Sequence, residues 1–168
     1  MRCACSGRGP EVTELVIGID PDLKENGVGI VSSGKLVDLQ ALDFFKLQAF
    51  IQEQHAQGAH FAVENVSINK PRFMRALKAG SYNAQNDKIS QNVGMVKAVQ
   101  VLIVQFLDLI GASYTLVKPL GGTAKDAKKD AKLFNRLTGW TGRSSADKRD
   151  AAMLALYVAR RKPCVRPN

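Results

Sequence analysis

After a polar opening stretch, the chain enters a short apolar run, Leu15-Val16-Ile17-Gly18-Ile19-Asp20, that ends on a carboxylate. Its length and β-branched content predict a buried strand. Pro21, which lacks a ladder donor, stops it. Beyond a turn through residues 22–26, Gly27-Val28-Gly29-Ile30-Val31 predicts a second strand. Ser33-Gly34-Lys35 then reads as a hairpin turn into a third strand near residues 36–42. Phe44, Leu47, Phe50 and Ile51 fall on one stripe and predict a helix over residues 44–57, ended by Gly58. His60-Phe61-Ala62-Val63-Glu64 is another short apolar run closing on an acid. Residues 65–86 are polar and basic, with a short helix expected near residues 73–78. A long helix follows over about residues 88–110, stopped by Gly111, and Tyr114-Thr115-Leu116-Val117 is the fifth strand. Beyond Gly121-Gly122, residues 123–137 predict a strongly basic helix, residues 138–143 a loop holding Trp140, and residues 145–161 the last helix.

An antiparallel meander followed by alternating helices and strands predicts an α/β fold, a five-stranded mixed sheet flanked by helices. The 168 residues suit one core. We expect a flexible tail over residues 1–13, a single domain over residues 14–162 and a basic C-terminal tail over residues 163–168. Residues 1–14 contain no run apolar enough for a signal peptide. The apolar stretch over residues 99–110 is interrupted by Gln100, Gln105 and Asp108 and reads as too short and too polar to span a bilayer. Cys3, Cys5 and Cys164 form neither a disulfide framework nor a zinc-ligand pattern. Together these features lead us to expect reduced thiols, a cytoplasmic location and no membrane partner.

Charge adds a partner class. Lys and Arg number 24 against 15 Asp and Glu, a formal net charge of +9, which suits a polyanion such as nucleic acid. Lys70, Arg72, Arg75 and Lys78 form one basic stretch, and Lys125, Lys128, Lys129, Lys132 and Arg136 a second. The tail from Arg160 forms a third. Such residues position nucleic acid through its phosphates without reading sequence; their ordinary alternative is solvated surface charge.

Four acids stand out against this basic background. Asp20 and Glu64 end two predicted inner strands, and functional groups of open α/β sheets gather beyond the carboxyl ends of strands. A carboxylate there is costly to desolvate unless a cation or donor meets it. Asp147 and Asp150 lie one turn apart on the last helix, in line with Ala151, Leu154 and Val158, so both are expected on the face that packs against the sheet. Each acid also has an ordinary reading. Asp20 could cap a turn, Glu64 could pair with Lys70 or Arg72, Asp147 could start its helix, and Asp150 could pair with Lys148 or Arg149. As a set, clustered carboxylates suit hard cations, Mg²⁺ or Mn²⁺. Two such ions, roughly 3.5–4 Å apart, can drive phosphodiester hydrolysis. The two histidines, His55 and His60, read as structural.

Taken together, Val16-Ile17-Gly18-Ile19-Asp20-Pro21 with Gly27-Val28-Gly29-Ile30-Val31, then Val63-Glu64-Asn65-Val66, then Asp147-Lys148-Arg149-Asp150-Ala151-Ala152 resemble, in order and interval, the motifs of RuvC-type Holliday-junction resolvases of the ribonuclease H-like superfamily. The resemblance runs from about Leu15 to Arg161. It implies that Asp20, Glu64, Asp147 and Asp150 are catalytic metal ligands, two Mg²⁺ or Mn²⁺ ions to a site. It also implies a homodimer that resolves four-way DNA junctions by paired nicks. Lys118, as a catalytic residue, and Lys128 or Lys129, toward DNA, match lysines that serve the reaction or the DNA backbone in that family.

The chain departs from the family in carrying Asp22 where glycine is usual, and Ser67 where relatives often place an aromatic near the junction centre; Ile68 or Phe73 would have to substitute. The departures point to a phage-encoded or otherwise distant member, acting in the host cytoplasm in the former case. Two further readings stay open: a broader ribonuclease H-like nuclease on forks, flaps or RNA–DNA hybrids, and a non-catalytic junction-binding protein.

Overall fold

The computed structural model describes residues 14–68 and 84–161. Lys70, Arg72, Arg75, Lys78, the short helix expected near residues 73–78, and both tails lie outside the described residues.

Three strands open the fold: β1 (Leu15–Asp20), β2 (Asn26–Ser32) and β3 (Lys35–Leu42). Ser33 and Gly34 both adopt positive φ, 49° and 74°, which gives the two-residue turn the twist a hairpin needs. Helix α1 (Phe44–Ala56) starts where the Asp43 side chain accepts the Lys46 N–H. Strand β4 (His60–Glu64) and a single 3₁₀ turn (Val66–Ile68) follow, then α2 (Ala84–Leu109) and β5 (Tyr114–Val117). The chain closes with α3 (Thr123–Lys129), α4 (Ala131–Thr138) and α5 (Ala146–Arg161).

The sheet order is β3-β2-β1-β4-β5. β1–β2 and β2–β3 are antiparallel; β1–β4 and β4–β5 are parallel. Because side chains alternate along a strand, the sheet has two distinct faces. Ile17, Ile19, Val28, Phe61 and Val63 point toward α1 and α2 and form one core with Leu47, Ile51, Val99, Ile103 and Leu107. Val16, Val31, Ala62 and Val117 point the other way, against Leu154, Ala155 and Val158 of α5. On this second face α3 and α4 add Ala127 and Phe134, which pack with Leu39 and Ala152.

Two sequence expectations are corrected here. The basic stretch over residues 123–137 is two helices, because Asp130 adopts extended backbone and its side chain accepts the N–H groups of Lys132 and Leu133, starting α4 afresh. The second concerns α2. The segment Gln91–Leu109, which extends N-terminally beyond the stretch of residues 99–110, is long and apolar enough to cross a membrane by length and composition. In this fold that helix lays Val99, Ile103 and Leu107 into the core.

Candidate metal centre

The period of two that builds the sheet also builds the site. Val16, Gly18 and Asp20 of β1 share the face toward α5, as do Ala62 and Glu64 of β4. Gly18 pairs with Ala62 and Ile19 with Val63, so the same register carried one step further sets Glu64 beside Asp20. Both acids stand at the carboxyl ends of parallel neighbours, where the backbone of open α/β sheets leaves room for chemistry.

The third acid comes from α5, and glycines let it approach. A Cβ on Gly18 would stand 1.8 Å from the Ala151 carbonyl oxygen, and one on Gly29 2.5 Å from the Ala152 Cα. Only residues without side chains there allow the helix backbone to lie directly on β1 and β2. The result is that Asp20, Glu64 and Asp150 converge: each offers a carboxylate oxygen, and the three oxygens lie within 4.8 Å of one another. All three residues are buried, with relative exposures of 6%, 8% and 5%.

Burial and the neighbouring acids act on Asp20 and Glu64. Burial, with Glu64 and Asp150 nearby, pushes the Asp20 carboxyl up to about 8 even though Lys128 pulls against it. Burial and Asp150 also raise Glu64, while a hydrogen bond from the Asp20 carboxyl lowers it. Asp20 is thus held above the ordinary carboxylate range even beside the Lys128 ammonium. The Lys128 ammonium meets the Oδ2 atoms of Asp150 and Asp20, the latter at 3.4 Å. Burial opposes the charge on Lys128, but the surrounding carboxylates outweigh it and hold its pKa above the ordinary lysine value. An oxygen-only donor set of this density, short of positive charge, fits a hard divalent cation.

The other expected residues fall elsewhere. Asp147 precedes Asp150 by one turn, yet its side chain is exposed, contrary to the expectation that both acids face the sheet. It borders an open depression with Asp22, Glu25 and Ser145, while its backbone carbonyl packs over Gly27. The buried position on that turn belongs to Arg149 instead, with Asp150 beside it. Lys118 follows β5, is exposed, and borders a groove of about 640 Å³ with Leu120, Tyr157, Arg160 and Arg161. Lys125 and Lys129 are exposed on α3. Lys128, expected to face DNA, reaches into the acids. Sequence reasoning missed Arg149 and Gln100. The first binds the Lys128 carbonyl. The second is buried on α2, and its Oε1 accepts from both the backbone N–H and the hydroxyl of Ser67, at 3.1 Å each, tying the turn after Glu64 to the helix. His60 is structural: its ring nitrogens meet the hydroxyls of Ser113 and Thr115 at 2.7 and 2.9 Å.

No protein-family model matches the chain, and no curated protein does. Solved structures do. RuvC of T. thermophilus, in complex with Holliday junction substrate, aligns with a TM-score of 0.52 at 19% identity, over 85% of this chain and 90% of that one. A second structure of Thermus thermophilus RuvC aligns at 0.48 and 17% identity, over 84% and 91%. Antiparallel β1–β3, parallel β1, β4 and β5, and helices on both faces thus make this chain's fold that of RuvC, within the ribonuclease H-like architecture.

Proposed function

We infer that the chain is a divalent-metal-dependent endodeoxyribonuclease that resolves four-way DNA junctions by paired nicks. One observation carries the reading: three buried carboxylates from β1, β4 and α5 meet within 4.8 Å at the carboxyl end of the sheet. A purely architectural DNA binder gains nothing from such a cluster facing a polyanion.

Asp20, Glu64 and Asp150 would hold Mg²⁺ or Mn²⁺, two ions to a site, with Asp147 joining from the exposed edge as a fourth oxygen donor. When bound, such ions polarise the phosphodiester and make water a better nucleophile. The chain's own residues orient and neutralise. Lys128 sits against the acids and is placed to offset charge on a phosphate. Exposed Lys118, Lys125 and Lys129 suit backbone contacts, and Lys70, Arg72, Arg75 and Lys78 extend the same proposal. One nuclease domain would span residues 14–162.

A homodimer has support in α2. Met95, Leu102 and Leu109 recur every seven residues and are 38%, 48% and 81% exposed, a spacing that suits a helix seam with a second copy. Paired nicking needs two such sites.

A broader branched-DNA nuclease is favoured by Ser67, which is engaged by Gln100 where the resemblance calls for an aromatic near the junction centre. The test is cleavage of labelled four-way junction, fork and linear duplex in Mg²⁺, Mn²⁺ or EDTA. Symmetric nicks confined to the junction support resolution. Equal cutting of junction and fork supports the broader reading, and binding without cutting in any metal contradicts both.

A further inference from the structure

Arg149 precedes Asp150 in sequence, yet its side chain turns toward α3. It is 7% exposed. Its Nε and Nη2 both donate to the Lys128 carbonyl oxygen, at 2.9 and 2.7 Å. Its Nη1 donates to the Ser144 carbonyl at 2.6 Å and to the Ser144 hydroxyl at 3.2 Å. The planar guanidinium fork makes this geometry available to arginine and not to lysine.

The target of that fork is specific. The Lys128 carbonyl lies in the last turn of α3, where carbonyls have no partner within the helix. A cation at that end also meets the negative pole of the helix. With only seven residues, α3 has little helical stability of its own, and Asp130 breaks the chain immediately after it. The anchor from α5, beside the packing of buried Ala127, holds the end of α3. Because Arg149 and Asp150 are neighbours, one turn of α5 fixes both the Asp150 carboxylate and the backbone from which the Lys128 ammonium reaches that carboxylate and Asp20.

We propose that Arg149 is a positioning residue for Lys128. By clamping the Lys128 backbone it holds the ammonium against Asp20 and Asp150 as an internal cation that competes with a divalent ion for their oxygens. The proposal rests on the metal-centre reading above.

The experiment measures Mn²⁺ affinity of the full chain by electron paramagnetic resonance of free Mn²⁺, with circular-dichroism melts as the check on folding. It compares wild type, Lys128→Met, Arg149→Lys and the double variant. Lys128→Met removes the competing charge and should tighten Mn²⁺ binding about tenfold. Arg149→Lys loosens the clamp and should tighten it about threefold in the wild-type background, but leave it unchanged where Lys128 is already Met, the non-additivity expected of residues acting as one unit. Junction cutting should show the same non-additivity with the opposite sign, Arg149→Lys lowering kcat with KM kept. Arg149→Met, the harsher variant, should match or exceed the lysine variant.

An Arg149→Lys effect on Mn²⁺ affinity of the same size with and without Lys128 would overturn the proposal, as would no effect in the wild-type background. Failure of both Arg149 variants to fold would also overturn it, making Arg149 a folding residue. Wild-type protein that binds no Mn²⁺ would sink the metal-centre reading itself. Normal wild-type binding with additive Arg149 effects would sink only this proposal.

Discussion

Lys128 Nζ donates to Asp20 Oδ2 at 3.4 Å across a sequence separation of 108 residues. That contact joins the first strand to the first of the three C-terminal helices, and it places one fixed positive charge among three buried acids. Burial, with Glu64 and Asp150 nearby, outweighs the pull of that ammonium and raises the Asp20 carboxyl to about 8. A buried cluster of three carboxylates is a candidate site for a metal ion.

A pH dependence of the metal-free protein follows. Asp20 titrates at about 8 when folded against 3.8 as the ordinary value, so between those limits the folded state holds a proton that the unfolded state has lost. Stability must then fall as pH rises through that window, and the raised Glu64 works in the same direction. Melting in EDTA should give a lower Tm at pH 8 than at pH 5. Asp20→Asn should flatten the slope and stabilise the metal-free protein at pH 8 by on the order of a few kcal/mol. Saturating Mg²⁺ should offset the loss, because metal binding displaces protons. A Tm in EDTA that climbs from pH 5 to pH 8 would contradict this assignment.

Glycines of β1 and α2 predict opposite outcomes from one substitution type. Gly18→Ala puts a Cβ 1.8 Å from the Ala151 carbonyl oxygen, so α5 must lift from the sheet, at a cost of about 3 kcal/mol or more. Gly94→Ala, inside α2 with nothing within 4 Å of the new Cβ, should stabilise by about 0.5–1 kcal/mol. Chemical denaturation distinguishes the two. Equal small effects at both positions would show that α5 does not lie against β1 as described.

Asp147 and Asp150 are separable. With Asp150 buried among the acids and Asp147 exposed at the rim, Asp147→Asn should lower junction cutting by about 10–100-fold, the scale seen for groups at the margin of a metal site. Asp150→Asn should abolish cutting. Steady-state rates on one substrate decide it, and equal losses would place Asp147 on a par with Asp150.

The seam on α2 is tested through Leu102, which is 48% exposed. Leu102→Lys should convert a dimer to a monomer in light scattering while changing stability by no more than about 1 kcal/mol, since surface changes seldom exceed that. A wild-type chain that is already monomeric at micromolar concentration would remove the dimer.

Much of this architecture is legible in the chain. The alternation in Val16, Gly18, Asp20 against Ile17, Ile19 sorts the first strand into two faces and ends one of them on an acid. Glu64 repeats the device, and the five strands follow from the same period. The remainder depends on tertiary geometry. Three-residue spacing places Asp147 and Asp150 on one side of a helix, yet the first turn lays its backbone on Gly27 and leaves the Asp147 side chain exposed, so only the second acid is buried. The basic residues over 123–137 favour helix throughout; the break comes from Asp130 capping α4, a signal present in the sequence but outweighed by its neighbours. Lys128 reads as one of several surface lysines because nothing local distinguishes it from Lys125 or Lys129. Its place in the centre is set by the Arg149 clamp, a contact between elements 21 residues apart. The glycines at 18, 27 and 29 did carry a legible cue, since glycine inside a strand signals close backbone approach.

The most direct measurement compares wild type and Asp20→Asn on a labelled four-way junction, following nicks in Mg²⁺ and binding in EDTA. The account predicts symmetric nicks by wild type that vanish in EDTA, and no nicks by Asp20→Asn despite junction binding equal to or tighter than wild type. Asp20→Asn that cuts at near the wild-type rate, or wild-type cutting that persists in EDTA, would contradict it.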